Sequence, residues 1–308
     1  MGGSRWEPQD WTAYSSSHIH SKKTVEEIYT SRDMDASLNP YNVSIRESCD
    51  SEANPNSTAL IVGLDVTGSM GNVLNAMARE GLETLATEIY SRKPISDPHI
   101  MFMGIGDVYC DSAPLQVTQF EADIKIAEQL TKIYLEQGGG GNQSESYTLP
   151  WYFASMYTKI DCFEKRNKKG YLFTIGDECP PDELSAIEIE KVLGTKPQFD
   201  SLTSEQLLNM VSKQYEVFHL IVEEGHNYKT MPERVTSEWT KLLGQRAIKL
   251  SDHTKMGEVI ISTLQLLNGE NKEAIIDSWD GTTKITVSNA IKDLDLTKHT
   301  DTEKVITF

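Results

Sequence analysis

Ala59-Leu60-Ile61-Val62-Gly63-Leu64-Asp65-Val66-Thr67-Gly68-Ser69-Met70-Gly71 is the stretch on which the reading of this chain turns. Its first six residues carry no polar side chain, which suits a strand buried on both faces of a parallel sheet. The character then changes within one residue. A carboxylate at Asp65 is followed by hydroxyls at Thr67 and Ser69, at alternate positions of a tight turn where all three side chains can face one centre. Gly68 and Gly71 let the turn bend sharply and bring the backbone close to a ligand.

Outward from this point the chain alternates. Helical spacing over about Asn72–Ser91 precedes a second apolar run at His99–Gly104, and Leu115–Phe120 reads as an edge strand. An amphipathic helix is predicted over Glu121–Glu136, and a further helix carries Trp151, Tyr152 and Phe153, with Pro150 in its first turn. Strands follow at Gly170–Ile175, Glu216–Val222 and Ala247–Leu250, with helices at Asp182–Leu193, Ser204–Gln214, Glu233–Leu243 and Met256–Leu267. Such alternation over some 210 residues specifies an α/β fold: a Rossmann-like, doubly wound, mostly parallel central sheet with helices on both faces. Residues 1–56 read as a polar N-terminal arm with one short helix near Thr24–Tyr29. Residues 57–268 form the α/β domain, and 269–308 a tail with β-like stretches at Thr283–Val287 and Lys304–Phe308.

The 308 residues carry 29 Lys and Arg against 46 Asp and Glu, a formal net charge of −17. This acidity opposes nucleic acid and anionic lipid as partners. No apolar run reaches the roughly 18 residues needed to span a bilayer. The opening MGGSRWEPQDW lacks an apolar signal core, and Trp6 makes it a poor myristoylation site. Cys49, Cys110, Cys162 and Cys179 are isolated, without the close pairs of zinc ribbons or redox motifs, and read as free thiols. A cytoplasmic protein is the expectation, or a virion-associated one if phage-encoded.

In open sheets of this kind the functional crevice lies at the carboxyl ends of the strands. The loops there offer Asp65, Thr67 and Ser69; Asp107; the stretch Gly138-Gly139-Gly140-Gly141-Asn142-Gln143-Ser144-Glu145-Ser146; and Asp177 with Glu178. These are oxygen donors with neither histidine nor a well-placed cysteine, a set that suits Mg²⁺, Mn²⁺ or Ca²⁺ and disfavours zinc. The glycine run has no following lysine, and Glu145 repels anions, so it is a poor phosphate cradle. Glu178 reads as a solvated loop charge, His219 as a core histidine, and Tyr147, Trp151, Tyr152, Phe153 and Tyr157 mainly as core packing.

The segment Asp65-Val66-Thr67-Gly68-Ser69-Met70 resembles the metal-ion-dependent adhesion motif of von Willebrand factor type A domains, Asp-x-Ser-x-Ser. The resemblance covers about Asn56–Asn268 and is closest to intracellular prokaryotic and phage-borne members. It implies that Asp65, Thr67 and Ser69 hold a divalent cation, Thr67 replacing a serine, and that Asp177 is the acidic group of a later loop. The family's middle-loop threonine has no counterpart here; Asn142, Ser144, Glu145 or Ser146 would take its place. A glutamate there would tighten the metal and weaken its pull on a partner's carboxylate. Asp65 is expected in a loop outside the core, and Asp107 behind the ligands. The implied function is non-catalytic: a metal-dependent protein–protein interaction module whose cation accepts a partner's acidic side chain, the partner in related systems often a MoxR-type AAA+ ATPase. An assembly scaffold that self-associates is the alternative. A Mg²⁺-dependent phosphatase is a weaker one, because Thr67 stands where a haloacid-dehalogenase-type site needs its second aspartate as general acid.

Overall fold

The computed structural model describes residues 4–5, 7–14, 16, 24–29, 31–70, 81–136 and 144–295. Its centre is a six-stranded sheet built from β1 (Thr58–Asp65), β2 (Pro98–Ile105), β3 (Leu115–Val117), β4 (Gly170–Gly176), β5 (Tyr215–Val222) and β6 (Ala247–Leu250). The strand order is β6-β5-β4-β1-β2-β3. All neighbours are parallel except the edge strand β3, which runs against β2 with Met103 opposite Val117. β1 and β4 are adjacent, yet the chain leaves β1 toward β2 and β4 toward β5. That divergence is the topological switch point where doubly wound sheets open a crevice.

Alternation along each strand divides the interior into two layers. Leu60, Val62 and Leu64 of β1, with Phe173, Ile175, Phe218 and Leu220, face one side. There they meet Leu85 and Ile89 of α1 (Leu82–Arg92) and the apolar face of α5 (Met256–Leu267). Ala59 and Ile61, with Met101, Met103, Leu172 and Ile221, face the other. Their partners are Trp151 and Phe153 of α2 (Thr148–Met156), Leu207 and Val211 of α3 (Ser204–Val211) and Trp239 of α4 (Pro232–Leu243). The doubly wound α/β sheet expected from the strand–helix alternation is the observed fold. Among the described residues no helix is long and apolar enough to cross a membrane.

Several boundaries differ from the sequence reading. The amphipathic stretch 121–136 is helical only over Lys125–Leu130. Beyond it the Gln116 amide clamps Tyr134, donating to its carbonyl and accepting from its N–H at 2.8 Å each, and holds the segment along the sheet edge. A short antiparallel pair, Glu183–Ser185 with Ser201–Thr203, precedes the helices capped by Ser185 and Thr203. Within the predicted helix 72–91 the structure places Leu82–Arg92, and residues 71–80 lie outside the described residues.

The flanking segments pack against the sheet domain. Tyr14, Ile28, Tyr29 and Leu38 of the arm join the first core layer. Arg46–Ser48 pairs in parallel with Thr158–Ile160. Burial alone would raise the Asp50 carboxyl, but the Arg166 guanidinium at 2.6 Å and the N–H and hydroxyl of Ser57 hold it down at about 2. In the tail, Thr283–Val287 is not a strand but part of a helix, Gly281–Ile291. Its β-branched residues suggested a strand, yet Val287, Ala290 and Ile291 fall at helical spacing and are buried against the core, with Leu294 buried just beyond the helix. Lys304–Phe308 lies outside the described residues.

Candidate functional site

β1 ends on Asp65 and β4 on Gly176, so Asp65 and Asp177 emerge side by side at the switch point. Asp65 is not in an exposed loop. It is the last residue of the strand and fully buried, with both carboxylate oxygens engaged. Oδ1 accepts the N–H of Thr67 at 3.0 Å and its hydroxyl at 2.6 Å; Oδ2 accepts the Tyr147 hydroxyl at 2.7 Å. Gly68–Met70 forms one turn of 3₁₀ helix, which sets Ser69 Oγ 3.3 Å from Thr67 Oγ1 and lets it donate to Asp177 Oδ1 at 2.9 Å. Asp177 Oδ2 accepts the backbone N–H of Asn227 at 2.8 Å. Each hydroxyl thus donates to a different carboxylate, Thr67 to Asp65 and Ser69 to Asp177, and the two hydroxyl oxygens bring the two pairs side by side.

The middle loop contributes Glu145. Asn142 lies outside the described residues. The Ser144 hydroxyl donates to the Cys179 carbonyl at 3.2 Å, and Ser146 Oγ accepts the Val108 N–H at 3.0 Å. Glu145 is buried, 3% exposed, and its Oε2 has no hydrogen-bond partner. Glu178 is the sharpest departure from expectation. It is no solvated loop charge: it is 7% exposed, its Oε1 accepts the Asn227 amide, and its Oε2 is unpartnered. The loop that carries it is positioned by the Trp239 indole, which donates to the Glu178 carbonyl at 2.8 Å. Asp107 is buried and caps the next turn, accepting the Tyr109 N–H at 2.9 Å.

Electrostatically the site is one-signed. Burial pushes the Asp65 carboxyl well above the carboxylate range against the lowering effect of the Thr67 hydrogen bond, and the charge of Asp177 adds to the rise. Burial, then the charges of Asp65 and Glu178, raises Glu145 further. Burial and the charges of Asp65 and Asp177 push Glu178 up to about 8. Among the described residues no Lys, Arg or His forms an ion pair with Asp65, Glu145, Asp177 or Glu178. Buried carboxylates without partners are costly unless a proton or a cation neutralises them. The oxygen-only donor set fits a hard divalent ion. Cys179 is a poor competitor for soft metals, because burial and Glu238 push its thiol up to about 12.

Tyr147 and Asn227 were not legible as site residues. The Tyr147 ring stands edge-on to His219 and Trp239, with centroids 5.1 and 5.5 Å away, while those two stack on each other at 3.6 Å. His219 is the core histidine expected from its strand: Thr174 Oγ1 lies 2.8 Å from Nδ1, and burial holds its pKa far below normal. The same aromatic cluster therefore packs the core and aims the Tyr147 hydroxyl at Asp65. A second oxygen-and-imidazole group, Glu224, Asp252 and His253, lies near the ends of β5 and β6. Glu224 is exposed there and already bonds the His253 N–H at 2.8 Å.

No family model matches the chain, and no curated protein matches its sequence. Solved structures with similar backbones include the pilus adhesin SpaC from Lactobacillus rhamnosus GG, at 13% identity and a TM-score of 0.47 over 74% of this chain. Its open conformation is similar at 10% identity and a TM-score of 0.46 over 75%. The chain spans 31% of the adhesin's length in both cases.

Proposed function

We propose that this chain is a non-catalytic interaction module that binds a divalent cation through Asp65, Thr67, Ser69 and Asp177 and engages a protein partner through that cation, in the manner of von Willebrand factor type A domains. The observation that carries this reading is the Ser69 hydroxyl, which links the Thr67–Asp65 turn to Asp177 across two adjacent strand ends. Two carboxylates and two hydroxyls from separate loops then lie around one point at the carboxyl edge of the sheet. A divalent ion there would neutralise Asp65 and Asp177 and leave positions for water or for an acidic side chain of the partner, whose bond to the cation is charge-assisted. Thr67 in place of an aspartate also leaves the site without the acid that phosphoryl transfer to water would require.

The test is calorimetric titration of Mg²⁺ and Mn²⁺ into chelator-treated protein, beside Asp65→Asn. Asparagine keeps an acceptor for Thr67 and sets an N–H donor against the Tyr147 hydroxyl oxygen, so the variant removes the charge with little change of shape. Saturable binding abolished by the substitution supports the reading, and partner capture that EDTA reverses supports the interaction role. A wild type that binds neither ion refutes the reading.

A further inference from the structure

Six large apolar or aromatic side chains stand exposed among the described residues, and three of them border one short helix, Ala186–Leu193. Ile187, 78% exposed, is on the helix; Tyr109, 74%, and Tyr41, 58%, flank it. The helix buries Ile189, Val192 and Leu193 and turns Ile187, Glu190 and Lys191 outward, at spacings of three and four that share a face. Lys191 Nζ reaches across to the Val108 carbonyl, and the Glu188 carboxylate lies against Tyr109, so the loop after β2 runs along one side. At the other end Tyr41 covers Gly194, where a Cβ would lie 2.8 Å from its ring. Beside Tyr41 a recess is lined by Met34, Pro40, Asp111, Pro114, Leu115 and Lys191, most of them apolar.

The rim of this face is acidic. Asp111 borders the recess, Glu183 and Glu188 act on Tyr109, and Glu190 stands exposed one turn from Ile187. Lys191 is the one base of the helix, and its ammonium is turned to the Val108 carbonyl. A second copy of a chain with net charge −17 would bring the same acids to the contact. Charge therefore disfavours self-association here and favours a basic partner. Tyrosine is among the residues that interfaces bury at their centres, and a basic rim on the partner would complement this one.

We propose that this face is a protein-docking surface for a partner segment that carries an apolar or aromatic side chain between basic residues. The apolar side chain enters the recess beside Tyr41, and the basic ones meet Asp111, Glu183, Glu188 and Glu190. The surface shares no residue with Asp65, Thr67, Ser69 or Asp177, so it stands whether or not a cation binds there. It does lie next to that site, because Ser146 joins the Tyr109 loop to Glu145: its N–H donates to the Gly106 carbonyl at 3.2 Å and its Oγ accepts the Val108 N–H at 3.0 Å.

A displayed library of random peptides, selected on the full chain in EDTA, tests the proposal. The selected peptides are expected to be rich in Lys or Arg around an aromatic or branched aliphatic residue, and to bind more weakly as salt rises. A synthetic copy of one should lose about tenfold in affinity on each of Tyr109→Ser, Ile187→Ser and Glu190→Lys. All three positions are exposed, and circular dichroism checks that the variants fold. No selected peptide, peptides without basic residues, or binding that ignores all three substitutions overturns the proposal. A wild-type dimer in sedimentation that Ile187→Ser dissociates also overturns it, in favour of a second copy. Because selection is made in EDTA, its failure and the failure of the cation reading are separate results.

Discussion

The Tyr147 hydroxyl occupies the space that any side chain on residue 176 would need: a Cβ placed on Gly176 would lie 2.0 Å from it. This hydroxyl is the donor to Asp65 Oδ2, so a glycine in one strand end makes room for the group that holds the carboxylate of the next. Gly176→Ala is expected to displace a ring fixed by His219 and Trp239 and to destabilise the fold by about 1–3 kcal/mol, as overpacking does. Tyr147→Phe removes only the hydrogen bond and should cost about 1–2 kcal/mol. Chemical denaturation of both variants checks this; an alanine variant with a wild-type midpoint would mean that the ring has room to move.

A similar fit holds Asp177. A Cβ on Gly225 would fall 2.2 Å from the Asp177 Cβ, and Asn227, two residues on, donates its N–H to the same carboxylate. Gly225→Ala should therefore weaken Mn²⁺ binding through displacement of Asp177, although residue 225 offers no side chain to the ion. Unchanged Mn²⁺ affinity in a folded variant would show that Asp177 is not a determinant of binding.

On the proposed metal reading, removal of Mg²⁺ or Mn²⁺ should lower stability as well as abolish partner binding. At Mg²⁺ or Mn²⁺ about 100-fold above the dissociation constant, linkage predicts about 2.7 kcal/mol of added stability per site. Asp65→Asn and Asp177→Asn should each abolish the increment from their shared ion. Denaturation with and without EDTA, in wild type and both variants, gives the comparison; an increment that survives Asp65→Asn would place the ion elsewhere.

His99 makes a prediction about acid. It is buried, with Nδ1 3.1 Å from Ser48 Oγ, and burial lowers its pKa to about 4 despite the nearby charges of Asp97 and Asp50. A histidine depressed in the fold is neutral there and takes up its proton more readily when unfolded. Its contribution is present above the unfolded pKa of about 6.5 and is lost as pH falls from there toward about 4, at up to about 1.4 kcal/mol per pH unit. His99→Asn should show a shallower fall in stability over that window. Asp50 contributes below it, since a carboxyl held at about 2 loses its contribution only under pH ~3.8. Parallel profiles for wild type and variant would exclude His99 as the source.

Truncation after Asn268 tests where the folding unit ends. Ile275, Trp279, Val287 and Ile291 are buried in the same layer as α5, the Trp279 indole donates to Ser262 Oγ at 2.8 Å, and Arg92 lies over the Trp279 ring at 3.6 Å. Trp279→Ala should cost about 3–5 kcal/mol, and the truncated chain should aggregate or unfold at ordinary temperature. A truncated chain as stable as the full one would make the tail an appendage.

The sequence by itself determined the sheet and the first half of the candidate site. An uninterrupted apolar run needs both faces covered, and repeated alternation with helices permits few topologies, so the α/β fold was legible. Asp65, Thr67 and Ser69 were legible because their spacing is local: a tight turn fixes where three residues point. Asp177 followed from its place after another such strand. Only the tertiary structure decided the rest, because it depends on contacts between residues far apart in the chain. Glu178 reads as an exposed charge until Trp239 and Asn227, some fifty to sixty residues later, enclose its loop. Tyr147 reads as core until the space above Gly176 turns its hydroxyl toward Asp65. The helix at Gly281–Ile291 and the packing of the tail beyond 268 onto α5 were hidden for the same reason, since β-branched residues take whichever conformation lets them cover the core, and the surface that α5 offers them is a property of the folded sheet alone.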